Sequence, residues 1–325
     1  MAGIDDHAST DAVNTPKRID LDAGRRAFFR ASGLAVAGAS VMGAGVFTPA
    51  MAQSASLTDV QILNFALNLE YLEAEFYSRA VSNEGLEAKD TTGVGGDPGA
   101  VSGGRKVAFT NALVVDYANE IANDEIAHVR FLRRALGGSA VARPAIDIDG
   151  AFTAAAQAAG IIGQGQTFDP YANDVNFLLA SYIFEDVGVT AYHGAAPLIS
   201  NKDYLRAAAG ILSVEAYHAG IIRTTLFAMQ MADPTLPIFE DTRKISALRY
   251  NLSNPNTGVS DDQGIAADQS TISNGPQTMA NLVPTDGDSI TFARIPPQVT
   301  NIVYGARGAT KGLFFPNGMN GGNAS

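Results

Sequence analysis

From Leu57 onward, apolar residues recur every three to four positions. Ile62, Leu63, Phe65, Ala66, Leu69, Leu72 and Phe76 fall on one side of a helix. Thr58-x-x-Gln61 opens this run as a capping box, with Leu57 placed as a hydrophobic staple, and the pattern predicts a first helix to about Val81. Residues 90–104 are a Gly-rich break. A second helix is expected from about Lys106 to Leu136, closed by Gly137-Gly138 after Arg133-Arg134. The connection from Ser139 to Asn173 holds Pro144, Pro170 and one short Ala-rich helix near Ala151–Ala159. A third helix runs from about Asp174 to Ala195 and stops at Pro197. A fourth starts near Asp203, with Ser200 or Asn201 as cap, and reaches about Met231 before Pro234.

The connection lengths carry topology. The links between helices one and two and between three and four are compatible with antiparallel hairpins. The long link spans a bundle end to end and makes helices two and three parallel. The expectation is an all-α four-helix bundle over residues 53–237, made of two hairpins and one long crossover. After Ile238, Asn, Gly, Pro, Asp and Ser dominate and Glu240 is the last Glu. Residues 238–325 therefore read as an irregular C-terminal extension. Ser289–Ile295 and Val299–Tyr304 are short apolar runs suited to strands or extended segments. The aromatic end, Gly312-Leu-Phe-Phe-Pro-Asn-Gly-Met319, is too apolar for a disordered composition and predicts an ordered wrap over the bundle.

The first 52 residues have another character. Arg25-Arg26 and Arg30 precede a weakly apolar Ala/Gly-rich run from Ala31 to Phe47, which ends in Ala50-Met51-Ala52, a small-x-small cleavage site. The segment resembles a twin-arginine export signal, with Gly24, Phe29 and Arg30 as departures from the usual pattern. It is short and small-residued for a bilayer span. The expectation is a cleaved signal over 1–52, a mature chain from Gln53, a periplasmic or secreted location, and no stable membrane insertion after cleavage. The signal carries five bases and five acids, so the net charge of −11 is unchanged by its loss.

That charge, from 22 Lys+Arg against 33 Asp+Glu, argues against nucleic acid as a partner. Cys is absent, which excludes disulfides, thiolate catalysis and sulfur-bound metals together. Any metal must be held by carboxylate and imidazole. Four His occur, and His7 leaves with the signal, so three remain: His128, His193 and His218.

Two of these three sit in the same motif. The second helix contains Glu125-Ile-Ala-His128 and the fourth Glu215-Ala-Tyr-His218. Positions i and i+3 lie on one helix face, about 5–6 Å apart, so both side chains reach one metal. A single Glu-x-x-His is explained well enough by a solvated face or a local ion pair. With ten Glu in the chain, chance places Glu three residues before a given His about 4% of the time, and before two of three His about 0.4% of the time. The paired motif therefore points to metal. The first helix offers Glu70, Glu73 and Glu75, and the third only Glu185, beside Asp186. Two divalent ions about 3.5–4 Å apart need anionic bridges. Four carboxylates balance two dications, and two neutral imidazoles complete the shell without adding charge. Oxygen and nitrogen donors without sulfur suit two iron or manganese ions, with zinc as a competitor. Glu125 and Glu215 are expected to bridge, with His128 and His218 as nitrogen ligands and Glu185 as a terminal carboxylate.

This pattern resembles the ferritin-like superfamily of di-metal carboxylate proteins, and within it the secreted group that includes desiccation-related proteins. Asn64-Phe-Ala-Leu-Asn-Leu-Glu-Tyr-Leu-Glu-Ala-Glu-Phe-Tyr77 is similar to that group's first-helix signature. Asn301-Ile-Val-Tyr304 and Phe315-Pro-Asn-Gly-Met-Asn-Gly321 look like its later features. Ferritin-like first helices often carry a Tyr seven residues after the ligand Glu. Glu70 and Tyr77 meet that spacing, and Glu185 and Tyr192 repeat it. The resemblance thus implies Glu70 as the first-helix ligand, with Glu73 as the alternative and Glu75 facing solvent. Tyr77 and Tyr192 become candidate neighbours of the ligands, as do Tyr182 and Tyr217, although packing tyrosines are the simpler reading. Asp116, Asp124 and Asp186 are candidates to hydrogen-bond the histidines. His193 lies too far from Glu185 to share its metal. Tyr71 and Phe76 read as core or hairpin contacts.

The resemblance implies metal ions and small oxidants as partners. The expected function is an exported iron or manganese protein of stress or desiccation protection, acting through metal binding and dioxygen or peroxide chemistry of the ferroxidase or peroxidase type. The alternatives are a manganese-catalase-like peroxide dismutase and a structural protein that protects the envelope without turnover. A homo-oligomer is compatible with the sequence. A 24-subunit cage is not expected, because the crossover and extension need room that a cage wall lacks.

Overall fold

The computed structural model describes residues 57–253, 260–265 and 280–321. The expected signal over 1–52 and parts of the extension lie outside the described residues. Seven helices order the described chain: α1 Asp59–Ser82, α2 Ala112–Leu136, α3 Gly150–Ala159, α4 Asp174–Ala195, α5 Lys202–Ala232, α6 Ile238–Ser253 and α7 Pro296–Val303. Two strands of two residues each, β1 Val101–Ser102 and β2 Ile146–Asp147, pair in parallel and tie the two long connections together. No helix among the described residues is long and apolar enough to cross a membrane.

The helix starts follow from local chemistry. Thr58 and Gln61 form the reciprocal capping box, with Gln61 N donating to Thr58 Oγ1 at 3.3 Å and Thr58 N to Gln61 Oε1 at 2.9 Å. Asn201, not Ser200, caps α5, its Oδ1 accepting from Asp203 N at 2.8 Å. Ser200 N and Asn201 N donate to the Asp59 carboxylate at 2.8 Å each, which joins the start of α1 to the α4–α5 turn. α2 begins at Ala112, six residues later than the expected Lys106, with Asn111 as cap. Residues 105–110 are held by tertiary bonds instead. Val107 N donates to Ala80 O at 2.9 Å, and Thr110 N to Asp174 Oδ2 at 3.1 Å.

Contacts along the helices fix their directions. Asn64, early in α1, donates to Ser139 O just past α2, while Val107, ahead of α2, bonds Ala80 late in α1. These two helices are antiparallel. α2 and α5 run antiparallel as well, with Asp124 beside His218 and Ala135 O bonded by Tyr204. Tyr77 of α1 meets Glu185 of α4, and Tyr192 of α4 meets Glu70 of α1, so α1 and α4 are antiparallel too. α2 and α4 are then parallel, as two hairpins with a long crossover require.

The extension departs from the expectation. α6 is a 16-residue helix where an irregular segment was expected. Its buried face is Ile238, Asp241, Thr242, Ile245, Ser246 and Arg249, so the helical period is carried mostly by polar residues. Val299–Tyr304 lies not in a strand but in α7 and its C-terminal cap, opened by Pro296-Pro297 at its first turn. Ser289–Ile295 forms no strand, and Thr291 makes one isolated bridge to Thr285. Phe314 enters the core, with ring centroids 5.1 Å from Phe152 of α3 and 5.0 Å from Phe184 of α4, while Phe76 of α1 lies 5.3 Å from Phe152.

Buried charge fastens the extension. Asp186 accepts from Arg223 and Arg249 at 2.8 Å each. Arg249 also reaches Asp262 at 2.7 Å, and Arg294 reaches Asp262 at 2.8 Å and Asp261 at 3.1 Å. The Tyr182 ring lies between Arg223 and Arg249, 5.2 and 4.5 Å from its centroid. Three arginines and three aspartates balance in number. Removing one member of such a cluster costs about 3–5 kcal/mol, because its partner stays buried and charged. Asp186 is therefore committed to arginine rather than to a histidine, and Tyr182 to this cluster. Glu75 corrects another expectation. It is fully buried, paired with Arg79 at 2.9 Å and with Arg143, which the crossover carries back over α1.

Candidate metal centre

On α2 the buried stripe runs through Ala118, Ile121, Ala122, Glu125, His128, Val129 and Leu132. On α5 it runs through Ala208, Ile211, Glu215, His218, Ala219 and Ile222. Each motif occupies positions that the helical period assigns to the core, so Glu125, Glu215 and His218 are 0–2% exposed and His128 8%. α1 adds Glu70 and Glu73 and α4 adds Glu185, all buried.

The six expected residues come together in two groups. Glu70, Glu125, His128 and Glu215 form one, and Glu125, Glu185 and His218 the other. Within each group one donor atom per residue lies within 4.8 Å of all the rest. His128 Nδ1 is 3.2 Å from Glu70, 3.3 Å from Glu125 and 3.7 Å from Glu215. His218 Nδ1 is 3.0 Å from Glu125 and 3.4 Å from Glu185. Glu125 thus stands in both groups, and the two imidazole rings are 6.4 Å apart. Glu215 stands in the first group only.

The surroundings hold these groups in place. Tyr77 donates to Glu185 and Tyr192 to Glu70, each across to the opposite helix rather than to the Glu seven residues before it. Burial raises both phenols well above their ordinary range, and the adjacent carboxylates add to it, so both stay protonated donors. Asp124 sits 3.1 Å from His218 Nε2, a partner that would keep a proton on that nitrogen and leave Nδ1 to a cation. Asp116 is exposed, and so is Tyr217. His193 belongs to neither group; its Nδ1 lies 3.2 Å from Phe292 O and from Thr291 Oγ1 in the extension.

Glu73 and Gly188 are the residues that spacing left unresolved or unnoticed. Glu73 lies three residues after Glu70, and Gly188 three after Glu185. A Cβ at Gly188 would stand 2.2 Å from Glu215 Oε2 and 3.6 Å from Glu73 Oε1. The missing side chain makes the room that the Glu215 carboxylate occupies, and Glu73 stands at ordinary contact beside it. The signal was in the sequence, in a glycine mid-helix at the place where the other half carries a carboxylate.

The electrostatics show what the pocket is built to hold. Burial raises Glu70 to about 7, with His128 opposing and Glu125 reinforcing. Burial and the crowd of neighbouring carboxylates push Glu73 and Glu215 far up, and burial raises Glu185. Burial acts to lower both imidazoles, but the facing carboxylates prevail and hold His128 at about 11 and His218 at about 12. Burial also opposes ionisation of Glu125, yet the two histidines beside it hold it below the usual carboxylate range. Protons are doing here what cations would do. Glu70 Oε2, Glu125 Oε1, Glu185 Oε2, both Glu215 oxygens and His218 Nδ1 are buried without a hydrogen-bond partner among the described residues. Six orphaned donor atoms at one point are costly as they stand, and they suit hard or borderline cations. The residues fit a metal pair.

Residues 58–228 match the ferritin-like domain family. The chain belongs to that family. It is 32% identical over 269 residues to the ferritin-like catalase Nec2 of Nesocodon mauritianus, covering 81% of this chain and 84% of that protein. It is 33% identical over 246 residues to the desiccation-related protein PCC13-62 of Craterostigma plantagineum, covering 74% and 75%. No solved structure gives a significant match. As a ferritin-like protein similar to the desiccation-related group, the chain carries a buried carboxylate–imidazole cluster compatible with metal binding.

Proposed function

We propose that this ferritin-like protein is exported, holds two iron or manganese ions, and disposes of hydrogen peroxide under desiccation or oxidative stress. The observation that carries this reading is the donor set of two imidazoles and four carboxylates, from four helices, with Glu125 common to both groups. The similarity to a protein named as a ferritin-like catalase favours peroxide over other oxidants.

Glu125 would span the pair, Glu70 and His128 would hold one ion, Glu185 and His218 the other, and Glu215 would close the first group. When bound, the metal pair supplies the electron exchange by which one peroxide is reduced to water and a second is oxidised to dioxygen, so that two H₂O₂ give two H₂O and one O₂. The chain supplies the rest. Tyr77 and Tyr192 hold one oxygen each of Glu185 and Glu70 and leave the other oxygen free to turn inward. Asp124 keeps the His218 proton on Nε2. Glu73, a carboxylate beside both groups that burial keeps protonated, is placed to give a proton to a departing water and to recover one from an incoming peroxide. The aromatic and aliphatic shell excludes bulk water.

The test joins elemental analysis to an oxygen electrode. The native exported protein should carry about two metals per chain, a Glu125→Ala/Glu215→Ala variant near none, and the loaded parent should release oxygen steadily from peroxide. Stoichiometric oxidation of Fe²⁺ without sustained oxygen release would turn the reading to ferroxidase chemistry. Unchanged metal in the variant would defeat the site assignment. Export is checked by N-terminal sequencing of the periplasmic or secreted form, expected to begin at Gln53.

A further inference from the structure

A small cavity of about 20 Å³ lies behind the metal centre, between α1, α4, α7 and Phe314. Of its ten lining residues, Glu73 is the one with a polar side chain; Val187, Ile302, Val303 and Phe314 typify the rest. Gly188 lines it too, and Gly188 is the residue whose absent side chain leaves room for Glu215 Oε2. At that point only backbone separates the cavity from a carboxylate of the centre. The outer wall comes from the C-terminal extension through Ile302, Val303 and Phe314.

The volume suffices for one water-sized molecule. Water needs two to four polar partners, and this lining offers one carboxylate. The chemistry therefore suits a small neutral apolar molecule. On the opposite side the centre meets solvent through polar groups: the Asp124 side chain is 41% exposed and that of His128 10%.

We propose that this cavity is a binding and transit site for dioxygen-class gas molecules, with Gly188 as its threshold to the metal centre and the extension as its lid, while polar species use the Asp124–His128 edge. The inference rests on the peroxide reading, in which dioxygen must leave a water-excluding pocket. It gives the extension a part in the chemistry, since α7 and Phe314 cover an apolar space beside the centre.

The test uses probes that need no turnover. Crystals of the full-length mature protein under xenon pressure should show xenon beside Val303, and Val303→Phe, which fills the cavity from the side of the extension, should remove it. Nitric oxide association with the ferrous-loaded protein should slow at least tenfold in Val303→Phe and quicken in Val303→Ala, at unchanged metal content. If Val303→Phe fails to fold, Val303→Ala carries the test alone. Absence of xenon from the parent, or association rates within twofold of the parent in every folded variant, overturns the proposal and moves gas transit to the Asp124 edge. Oxygen release from peroxide is scored separately. A loaded parent that releases none defeats the proposed function, and xenon and nitric oxide still decide this one.

Discussion

The two hairpins repeat one pattern of ligand-type residues, and around it they differ at two positions that touch the centre. Glu70, Tyr77, Glu125 and His128 in the first correspond to Glu185, Tyr192, Glu215 and His218 in the second. The tyrosines cross between halves, each bonding the other half's Glu. One difference is Glu73 against Gly188. The other is Asp124 against Val214, so His218 meets a carboxylate at Nε2 and the matching position before Glu215 offers no acceptor. The shared pattern builds two donor groups that meet at Glu125. The departures from it make the two groups unequal, with Glu73 beside one and Asp124 beside the other.

The largest test of this comparison strikes the residue both groups share. Glu125→Gln should remove both metals, whereas Glu70→Gln and Glu185→Gln should each weaken one, read as metals per chain by elemental analysis. Next comes Asp124→Asn, which should weaken the His218 ion about 10- to 100-fold in calorimetric titration and leave the His128 ion near its parent affinity. Equal weakening of both would erase the asymmetry. Gly188→Ala should cost about 1–3 kcal/mol in thermal unfolding and lower metal content, because the added methyl meets Glu215 Oε2. Tyr77→Phe and Tyr192→Phe should behave alike, each costing about 1 kcal/mol, since each removes one bond in equivalent places.

A further test needs no mutation. In chelated protein Glu70 titrates near 7 against an ordinary 4.5, so the folded state binds more protons between those values and stability falls as pH rises through that window. His128 and His218, raised to about 11 and 12, retain protons that the unfolded chain gives up near 6.5, and extend the fall above it. Bound metal replaces those protons. Thermal unfolding from pH 5 to 9 should therefore show a declining midpoint without metal and a flatter one with it.

Much of this was legible before any coordinates. The apolar period of α1, α2, α4 and α5 is strong because each helix buries one broad face, and the link lengths left little choice of topology. The paired Glu-x-x-His spacing brought Glu125, His128, Glu215 and His218 into view, and the structure sets them beside Glu70 and Glu185. What stayed hidden is polar burial. α6 buries Asp241, Thr242, Ser246 and Arg249, which a hydrophobic pattern scores as solvent. Glu75 is buried because Arg143 returns to it from 68 residues away, and no local signal announces that. The onset of α2 was misplaced for a related reason: residues 105–110 have adequate helical character, but Asp174 and Ala80 compete for their backbone donors.

The buried charges that join Asp186, Asp261 and Asp262 to three arginines carry a consequence for how the extension seats. Arg294 meets both Asp261 and Asp262, and Asp262 also meets Arg249 of α6. Without the segment that carries Arg294, Asp261 would lose its arginine while Asp262 kept one. The segment that closes over the bundle thus brings its own counter-charge to the acids it covers.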